Sequence, residues 1–386
     1  MNIIMTTHYS PWSPYYGGGQ HSTHNLASAL AGRGHDVSVV YTKPPWETIA
    51  TPSDLPYTIR WAVLPSIRSR RRSLFRPFAS AFVARAVQEL LKPSSIVHAN
   101  GEEASLLPRL RRRHRFAFVL TPRYPSYPLE LLRSAPTVRN QARLWLFENK
   151  FRQLSAAVED ADLICPTSRS AARQIQQAYG VAAERIRVVS NGVSEVFCSV
   201  RRPNDAPSGP IVFFGRLDRS KGADVLLQAL ARIESAARSC VIIGRGEQSD
   251  ALHRIADELG IRSSVMIKDW MVPADLARVL GRASMAVLPS REESFGNAIA
   301  EAMATGAPVI STTAGSVPEL ITDGENGLLV PPDDPIALAA AIQKLQHDPV
   351  YAAAMGENAR RTILERFTWS RVARTFEGIY NELSQA

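Results

Sequence analysis

The sequence has little cysteine and no long apolar stretch. Its three cysteines, Cys165, Cys198 and Cys240, are far apart and form no C-x-x-C pair, which excludes a disulfide framework and a cysteine metal site. No apolar run approaches the ~18 residues of a membrane-spanning helix. No basic segment precedes an apolar one at the N-terminus, so a signal peptide is not predicted. We therefore expect a cytoplasmic protein.

Acidic residues are scarce in the first half of the chain only. Residues 1–200 contain 25 basic and 13 acidic side chains, whereas residues 201–386 contain 20 and 23. The formal net charge of +9 therefore comes from the first half. Apolar residues make up 45% of the chain, which excludes disorder. The uneven charge predicts two domains with different partners.

Short β-branched runs alternate with longer helical patterns in both halves, which predicts parallel sheets built from β-α-β units. Strands are predicted near residues 2–7, 36–42, 57–64, 96–100, 116–121, 162–166 and 186–190, and then near 211–215, 239–243, 265–269, 285–289 and 308–312. The predicted fold class is α/β, with two doubly wound, Rossmann-like domains facing across a cleft that holds the site.

The domain boundary is predicted from a change in composition. Residues 201–210 hold three prolines and almost nothing apolar, as an interdomain linker would. The first domain then spans residues 1–200 and the second spans 211–368. The amphipathic stretch 369–386 is expected to pack back on the first domain.

The segment from Pro289 to Gly306 has the pattern of a ligand site. A buried-type strand gives way to a polar loop, and a helix of small residues, with Ser294 as its predicted N-cap, begins near Phe295. The N–H groups of a helix N-terminus suit a phosphate, and the carboxylates of Glu293 and Glu301 could accept hydrogen bonds from sugar hydroxyls. Glu301 could instead lie on a solvated helix face, but its nearly all-apolar neighbours favour a functional or paired carboxylate.

Two cations follow the predicted strand at 211–215. Arg216 and Lys221 lie where open α/β sheets bind ligands, and a forked guanidinium with an ammonium could neutralise a diphosphate. A solvated basic loop is the alternative. Three glycines at 17–19 precede the first helix, where they permit close backbone approach to a ligand or form a flexible turn.

Together these segments resemble the retaining nucleotide-sugar glycosyltransferases of family 4 (glycosyl transferases group 1), which have two Rossmann-like domains in the GT-B fold. The resemblance covers essentially the whole chain. Its specific matches are Glu293-x7-Glu301, Gly306–Ile310, Gly315–Ile321, Asp323–Val330, Gly215–Leu217 with Lys221 and Gly222, Asn191–Val193, and Phe367-x-Trp369.

This resemblance implies a metal-independent enzyme that moves a sugar from a UDP- or GDP-linked donor to a lipid-linked or growing glycan, with retention and without a cofactor. Arg216 and Lys221 would bind the donor diphosphate, Glu301 the ribose hydroxyls, and Glu293 the transferred sugar. The other implied contacts are Ser294, Phe295, Gly296 and Asn297 at the distal phosphate, Gly244, Trp270 and Met271 at the base, and Gly18 and Gly19 from the first domain.

The first domain departs from the family pattern at its expected catalytic positions. Many relatives have His-x-His where this chain has His98 and Asn100, and many have a histidine near Arg123. His98 could be catalytic or simply a hydrogen-bonded strand residue, and Asn100 would replace the second histidine. The catalytic candidates are therefore Glu293, His98 and Asn100, with Arg123 and Tyr124 on the acceptor side.

Other functions fit parts of the pattern. A nicotinamide-dependent oxidoreductase would use the glycine-rich turn at 244–246, but the third glycine of the fingerprint is missing. A nucleotide-sugar epimerase of the same fold would need an acid–base set that Glu293 alone does not supply. The Asp-x-Asp string at 160–162 and the His-x-x-His string at 21–24 match metal sites only weakly.

Two arginine runs account for most of the excess charge in the first half. They are Arg68, Arg70, Arg71, Arg72 and Arg76, followed by Arg109, Arg111, Arg112, Arg113 and Arg115. Because no nucleic-acid motif accompanies them, no nucleic-acid partner is expected. The runs fit a protein that binds an anionic membrane surface peripherally, a phosphate-bearing acceptor, or a solvated face.

Overall fold

The chain divides into two α/β units. The computed structural model describes residues 1–13, 18–64, 76–123, 138–203, 209–234 and 238–385. One unit comprises Met1–Gly192 with Trp369–Ala386, and the other comprises Val193–Thr368. Each contains a six-stranded parallel sheet with flanking helices, which confirms the predicted fold class.

The first unit contains the sheet with strand order β3-β2-β1-β4-β5-β6. Its strands are β1 (Asn2–Thr7), β2 (Asp36–Lys43), β3 (Thr58–Val63), β4 (Ile96–Ala99), β5 (Ala117–Leu120) and β6 (Leu163–Ile164). The helices that accompany them are α1 (Gly18–Ala31), α2 (Arg76–Leu90), α3 (Leu107–Arg111), α4 (Val138–Asp160) and α5 (Arg169–Tyr179). β1 and β4 are almost continuously buried because helices cover both faces of a parallel sheet.

The second unit contains the sheet with strand order β12-β11-β10-β7-β8-β9. Its first elements are α6 (Glu195–Cys198), β7 (Ile211–Phe214), α7 (Ala223–Leu230), β8 (Cys240–Ile243), α8 (Ser249–Glu258), β9 (Val265–Lys268) and α9 (Pro273–Arg282). The later ones are β10 (Met285–Leu288), α10 (Asn297–Ala304), β11 (Val309–Thr312), α11 (Val317–Leu320), β12 (Leu328–Val330), α12 (Pro335–His347) and α13 (Pro349–Arg366).

The strand order reverses once in each sheet, and these switch points locate the candidate sites. In the first unit β1 lies between β2 and β4, and in the second β7 lies between β8 and β10. Connections leave the two central strands on opposite faces of the sheet, so a crevice opens beyond their carboxyl ends. The candidate sites are therefore expected at the residues that follow β1, β4, β7 and β10.

A last helix, α14 (Trp369–Gln385), belongs to the first unit. Its buried face, which includes Phe376 and Tyr380, packs in the same hydrophobic cluster as Ile3 and Met5 of β1. The alternate β1 residue Ile4 faces a second cluster with residues of α2 and α4. The C-terminal helix and α1 thus form one of the two layers that cover the first sheet.

The chain passes from the first unit to the second after Gly192 and returns after Thr368. The first of these crossings is earlier than composition predicted. The Val193 N–H donates to the Phe367 carbonyl at 2.7 Å, and a Cβ on Gly192 would lie 2.6 Å from Trp369 Cδ2. Phe197 of α6 is part of the core of the second unit. The predicted first-domain end at residue 200 is therefore too late, because residues 193–200 already pack with the second unit.

The observed strands differ from the predicted ones at two places. The stretch predicted at 186–190 forms only an isolated bridge between Ile164 and Ile186. In contrast, β12 was not predicted, because its three residues are too short a run to give a periodic signal.

Among the described residues, no helix is long and apolar enough to cross a membrane.

Candidate active site

The loop after β7 carries both predicted diphosphate ligands. Arg216 is largely exposed, with Nη2 3.1 Å from Asp218 Oδ2. Asp218 caps the following turn by accepting a hydrogen bond from the Ser220 N–H at 3.0 Å. Gly222 has φ +72°, and a Cβ there would lie 2.0 Å from the Pro289 carbonyl oxygen. The loop is therefore pressed against the end of β10, which fixes Lys221 at the switch point.

Lys221 and Glu293 meet directly at this switch point. Lys221 Nζ lies 2.7 Å from Glu293 Oε1, and the Ser290 hydroxyl donates to the same oxygen at 2.8 Å. The Glu293 carbonyl accepts the Ser316 N–H at 3.1 Å. Gly315, at φ +55°, allows this contact because a Cβ would lie 2.2 Å from that carbonyl oxygen. The sequence predicted both charged residues as donor contacts, and the structure adds that they form an ion pair that Ser290 also contacts.

Helix α10 begins two residues later than predicted. Its N-cap is Gly296 with φ +93°, so Ser294 is not the N-cap. A left-handed residue at this point is favourable only for glycine, and it turns the chain into the helix at Asn297. Phe295 is buried against Phe367, with ring centroids 5.9 Å apart. The predicted phosphate-binding segment is thus the start of a helix that is anchored through an aromatic pair.

Glu301 lies on α10 without a partner. It is half-buried and makes no hydrogen bond or ion pair within the part of the chain that the structure describes. Burial raises the pKa of this carboxyl to about 8. A paired carboxylate is therefore not observed among the described residues, which leaves a functional carboxyl and a solvated helix face as the interpretations.

The glycines at 244 and 246 pack two loops together. Gly244 has φ +157°, and a Cβ there would lie 1.9 Å from the Gly215 carbonyl oxygen. A Cβ on Gly246 would lie 2.2 Å from the Leu217 carbonyl oxygen, and the Gly244 N–H donates to the Lys268 carbonyl at 3.0 Å. These glycines therefore serve backbone packing rather than a dinucleotide fingerprint.

The residues expected near the base lie just beyond β9. The Trp270 side chain is 40% exposed, and the Trp270 backbone N–H donates to Asp269 Oδ1 at 2.7 Å. Asp269 Oδ2 in turn accepts from Arg245 Nη2 at 2.7 Å. Met271 is half-buried and packs on the core of the second unit. The Arg245–Asp269 pair thus joins the backbone at Trp270 to the loop after β8.

Arg291 has a larger role than its position in a polar loop suggested. Its Nη1 and Nη2 donate to the two carboxylate oxygens of Asp224 at 2.9 and 2.8 Å, and its Nε donates to Asp333 at 2.6 Å. Its N–H also donates to the Ser220 carbonyl at 2.7 Å. Arg291 therefore ties the Lys221 loop to the Glu293 loop. Its partners are remote in sequence, so the pattern gave no signal for it.

Replacing Arg291 with glutamine is expected to lower the melting temperature by about 5–10 °C and to raise the KM for the donor. A bidentate, mostly buried ion pair loses a partner, and a unit of this size shifts by about 2–4 °C per kcal/mol. Thermal unfolding and donor kinetics measure the two effects. Arg278→Gln is the control, because its pair with Asp275 is exposed. Equal melting temperatures for the two variants would contradict the assignment.

His98 lies in the core of the first unit. It is fully buried, with Nδ1 2.6 Å from the Tyr380 hydroxyl and Nε2 2.8 Å from the Thr121 hydroxyl. Burial, and to a smaller extent the charge of Arg123, lowers the pKa of His98 to about 3. The structure therefore favours the hydrogen-bonded strand residue over the catalytic one, and His98 fastens α14 to β4.

Asn100 follows β4 at the carboxyl edge of the first sheet. Its Nδ2 donates to the Thr6 carbonyl at 2.8 Å, and its N–H donates to Glu103 Oε1 at 2.9 Å. Its Oδ1 accepts from Arg123 Nε at 3.0 Å. Gly19 lies beside the same arginine, with its ideal Cβ position 3.5 Å from Arg123 Cγ. Asn100, Arg123 and the start of α1 therefore form one cluster at the switch point.

Gly18 and Tyr124 were also predicted on the acceptor side. Gly18 is the first residue of α1 and is exposed, whereas Tyr124 lies outside the described residues. Three side chains nearby could hold a metal ion: the ligand atoms of His8, Glu102 and Glu103 lie within 4.8 Å of one another. Glu102 also lies 3.5 Å from Lys150 Nζ.

Comparison with solved structures identifies the fold. Sucrose-phosphate synthase from Thermosynechococcus elongatus superimposes with a TM-score of 0.80 at 24% identity, covering 99% of each chain. Anabaena Alr3699/HepE in complex with UDP and glucose superimposes with a TM-score of 0.76 at 21% identity, covering 99% of each chain. At such identities the likeness shows the fold alone.

Sequence comparison extends this to the family. The glycogen synthase of Mycobacterium tuberculosis (strain H37Rv) is 26% identical over 394 residues, covering 98% of this chain and 94% of its own. The D-inositol 3-phosphate glycosyltransferase of Acidothermus cellulolyticus is 31% identical over 247 residues, covering 58% and 54%. The Glycosyltransferase Family 4 model matches residues 16–196, and the Glycosyl transferases group 1 model matches residues 201–362. With a charged cluster at the switch point of each sheet, the chain belongs to the family 4, group 1 glycosyltransferases of the GT-B fold.

Proposed function

We propose that the protein is a retaining, metal-independent glycosyltransferase that takes its sugar from a nucleoside diphosphate sugar bound by the second unit. The observation that carries the proposal is the Lys221–Glu293 pair at the β7–β10 switch point, 2.7 Å between charged atoms. The unpartnered carboxyl of Glu301 on the helix that follows adds a group suited to a ribose diol. Structural neighbours solved with UDP and with UDP-glucose support a donor of this class.

The charge of the leaving diphosphate can be offset by the protein alone. Lys221 supplies an ammonium, Arg216 supplies an exposed guanidinium, and the N-terminus of α10 adds the partial positive charge of its peptide dipoles. Fixed charges of this kind stabilise the transition state without reorganisation. We therefore propose catalysis without a metal, although the group formed by His8, Glu102 and Glu103 makes the test with a chelator necessary.

Retention follows from attack on the same face of the sugar as the departing phosphate. The bond between the anomeric carbon and the phosphate oxygen breaks, and the bond to the acceptor oxygen forms. The proton of the acceptor hydroxyl passes to the leaving phosphate oxygen, so no protein base is consumed. Glu293 would orient the transferred sugar through its hydroxyls. The buried, doubly hydrogen-bonded position of His98 supports a mechanism without a histidine base.

Release of nucleoside diphosphate tests the proposal. The protein is incubated with UDP-, GDP- and ADP-sugars, with and without EDTA, and the configuration of the product is read by proton NMR. We expect one nucleotide class to be turned over, unaffected by EDTA, with the anomeric configuration of the donor kept. An inverted product, loss of turnover in EDTA, or turnover of NADH in place of any sugar nucleotide would contradict it.

The acceptor is proposed to be a lipid-linked or growing glycan, with the enzyme held at an anionic membrane. The second arginine run divides into two groups in the structure. Arg111 is internal, since it donates to the Asp160 carbonyl at 2.6 Å and pairs with Asp162. The other four are exposed and make no ion pair with any residue that the structure describes; they are Arg109, Arg112, Arg113 and Arg115.

Three of these four, Arg112, Arg113 and Arg115, lie directly before β5, and we call them the amino-edge arginines. Asn100 and Arg123 follow β4 and β5 at the other edge of the sheet. Four strand residues separate the edges by about 13 Å. This position favours a docking surface for anionic lipid over direct contact with the reacting acceptor. The first arginine run lies mostly outside the described residues.

Neutralising two amino-edge arginines is expected to weaken binding to vesicles that contain anionic lipid. Each arginine near such a surface contributes about 1 kcal/mol, so Arg112→Gln with Arg113→Gln should reduce binding by about 30-fold at low salt. Vesicle co-sedimentation over a salt series measures this. Arg371→Gln with Arg374→Gln makes the same change in net charge on α14 and serves as control. Equal losses in both double variants, or no binding by the unaltered protein, would refute membrane docking through this face.

A further inference from the structure

Arg123 is held in a fixed orientation by two amide side chains. Its Nε donates to Asn100 Oδ1 at 3.0 Å, and its Nη1 donates to Asn191 Oδ1 at 2.9 Å. Both asparagines are buried. Asn100 is itself anchored to the Thr6 carbonyl at 2.8 Å. The guanidinium therefore does not sample solvent as a surface arginine does, and its direction is set by the sheet.

The charge of this guanidinium is not neutralised by its neighbours. Both of its partners are neutral amides, and no carboxylate of the described chain lies within ion-pair distance. Glu103, whose charge acts on Arg123, accepts hydrogen bonds from the Asn100 N–H and the Thr6 hydroxyl at 2.9 and 3.1 Å. Burial lowers the pKa of Arg123 to about 10, partly offset by the charge of Glu103. The side chain is thus cationic at neutral pH.

The unused donors of Arg123 face no partner among the described residues. Nη2 makes no hydrogen bond there, although the side chain is half-buried. A half-buried cation with free N–H groups is costly unless an anion completes it. The planar fork of guanidinium matches a phosphate or carboxylate in geometry. The neighbouring Gly19, in the first turn of α1, lies beside the aliphatic stem of Arg123, with its ideal Cβ position 3.5 Å from Cγ.

We propose that Arg123 binds an anionic group of the acceptor, so that the acceptor sugar carries a phosphate or a carboxylate. The proposal rests on the proposed function, because it assigns the first unit to the acceptor. The donor diphosphate has its own cations, Arg216 and Lys221, in the second unit, which leaves Arg123 for the other substrate. Arg123 would set acceptor specificity rather than take part in the bond changes.

The unaltered enzyme is assayed first with matched acceptors: glucose, glucose 6-phosphate and glucuronic acid, and inositol with its monophosphate. Transfer is followed with the donor found active, and binding of each compound is measured by calorimetry. We expect a charged member of a pair to be preferred over its neutral partner by at least about tenfold. The phosphate and uronate arms distinguish the two sources of charge.

Arg123→Gln should then raise the KM for the charged acceptor by about 10- to 100-fold. The KM for the donor and donor hydrolysis without acceptor should stay within about twofold, and a neutral acceptor should be affected little. Arg123→Lys should recover part of the loss, because charge returns without the fork. Arg374→Gln, an exposed arginine on α14 of the same unit, controls for net charge.

Several results would overturn the assignment. They are preference of the unaltered enzyme for neutral acceptors, an equal loss for charged and neutral acceptors in Arg123→Gln, or a raised donor KM in that variant. If Arg123→Gln does not fold, the acceptor preference of the unaltered enzyme decides. If no sugar nucleotide is turned over at all, the proposed function fails. Calorimetry with the charged compounds then still decides on Arg123, and no binding refutes it.

Discussion

Lys221→Ala is expected to lower kcat/KM for the donor by about 10³-fold while the protein remains folded. The ammonium lies 2.7 Å from Glu293 Oε1 at the end of two central strands, where the leaving diphosphate would develop charge. Removing one fixed electrostatic group from such a site costs about 10²–10³ in rate. The loss of the partner of Glu293 adds to this, because that carboxylate would no longer be held by two groups.

The fold should tolerate this change, because Lys221 contributes no apolar side chain to the core. Circular dichroism and thermal unfolding verify this, and steady-state kinetics give the rate loss. Lys344→Ala, an exposed lysine on α12 of the same unit, is the matched control and should keep full activity. Activity of Lys221→Ala within a few-fold of the unaltered enzyme would remove Lys221 from the site.

Glu301→Ala is expected to lower kcat/KM for the donor at least about 100-fold, chiefly by raising the donor KM. A carboxylate that accepts hydrogen bonds from two hydroxyls contributes charge-assisted bonds of about 1.5–3 kcal/mol each. Because Glu301 has no partner in the described chain, its removal should not disturb the fold. Glu292→Ala, an exposed carboxylate of the preceding loop, is the control. Full activity in Glu301→Ala would overturn its assignment to the ribose.

The same residue gives a dependence on pH with a defined sign. Burial raises the pKa of Glu301 to about 8 from 4.5, so the native carboxyl is protonated below pH 8 and ionised above it. Because the ionised carboxylate is the form that accepts hydrogen bonds from both hydroxyls, donor affinity should increase as the pH rises through 8, and Glu301→Gln should abolish this increase. Stability changes in the opposite sense: relative to Glu301→Gln, the unaltered protein should lose stability as the pH rises from 4.5 to 8.

Strand ends made the position of the site predictable. Arg216, Lys221 and Glu293 each follow a run that reads as a buried strand, and parallel strands bring such residues to one edge. The pairing of Lys221 with Glu293 was not predictable, because the two residues are 72 positions apart. The role of Arg291 was missed for the same reason, since Asp224 is 67 positions away.

Other differences trace to backbone geometry and to long-range packing. Serine is favoured at N-caps, but the positive φ of Gly296, not Ser294, decides where α10 begins. His98 has the identity of a catalytic residue, but its contact with Tyr380, 282 positions later, makes it part of the core. A sequence pattern gives the type of each residue and the local spacing of apolar residues. Neither determines which residues far away in the sequence become its contacts.

The charge asymmetry also takes a more specific meaning from the structure. Among the described residues of the basic first half, Arg123 is fixed at the carboxyl edge of the sheet, whereas Arg112, Arg113 and Arg115 are exposed at the amino edge. Arg111, from the second arginine run, donates to the Asp160 carbonyl and pairs with Asp162. These described arginines therefore divide between a candidate acceptor contact and a candidate membrane surface.

The central claim is that the second unit binds a nucleoside diphosphate sugar through Lys221 and Glu301. Calorimetric titration in EDTA, with UDP, GDP, ADP and NAD⁺ in turn, tests this most directly, using the unaltered protein, Lys221→Ala and Glu301→Ala. We predict binding of one nucleoside diphosphate and none of NAD⁺, with affinity weakened at least about tenfold in each variant. Binding of NAD⁺ alone, or affinity for the nucleoside diphosphate that neither substitution changes, would contradict the account.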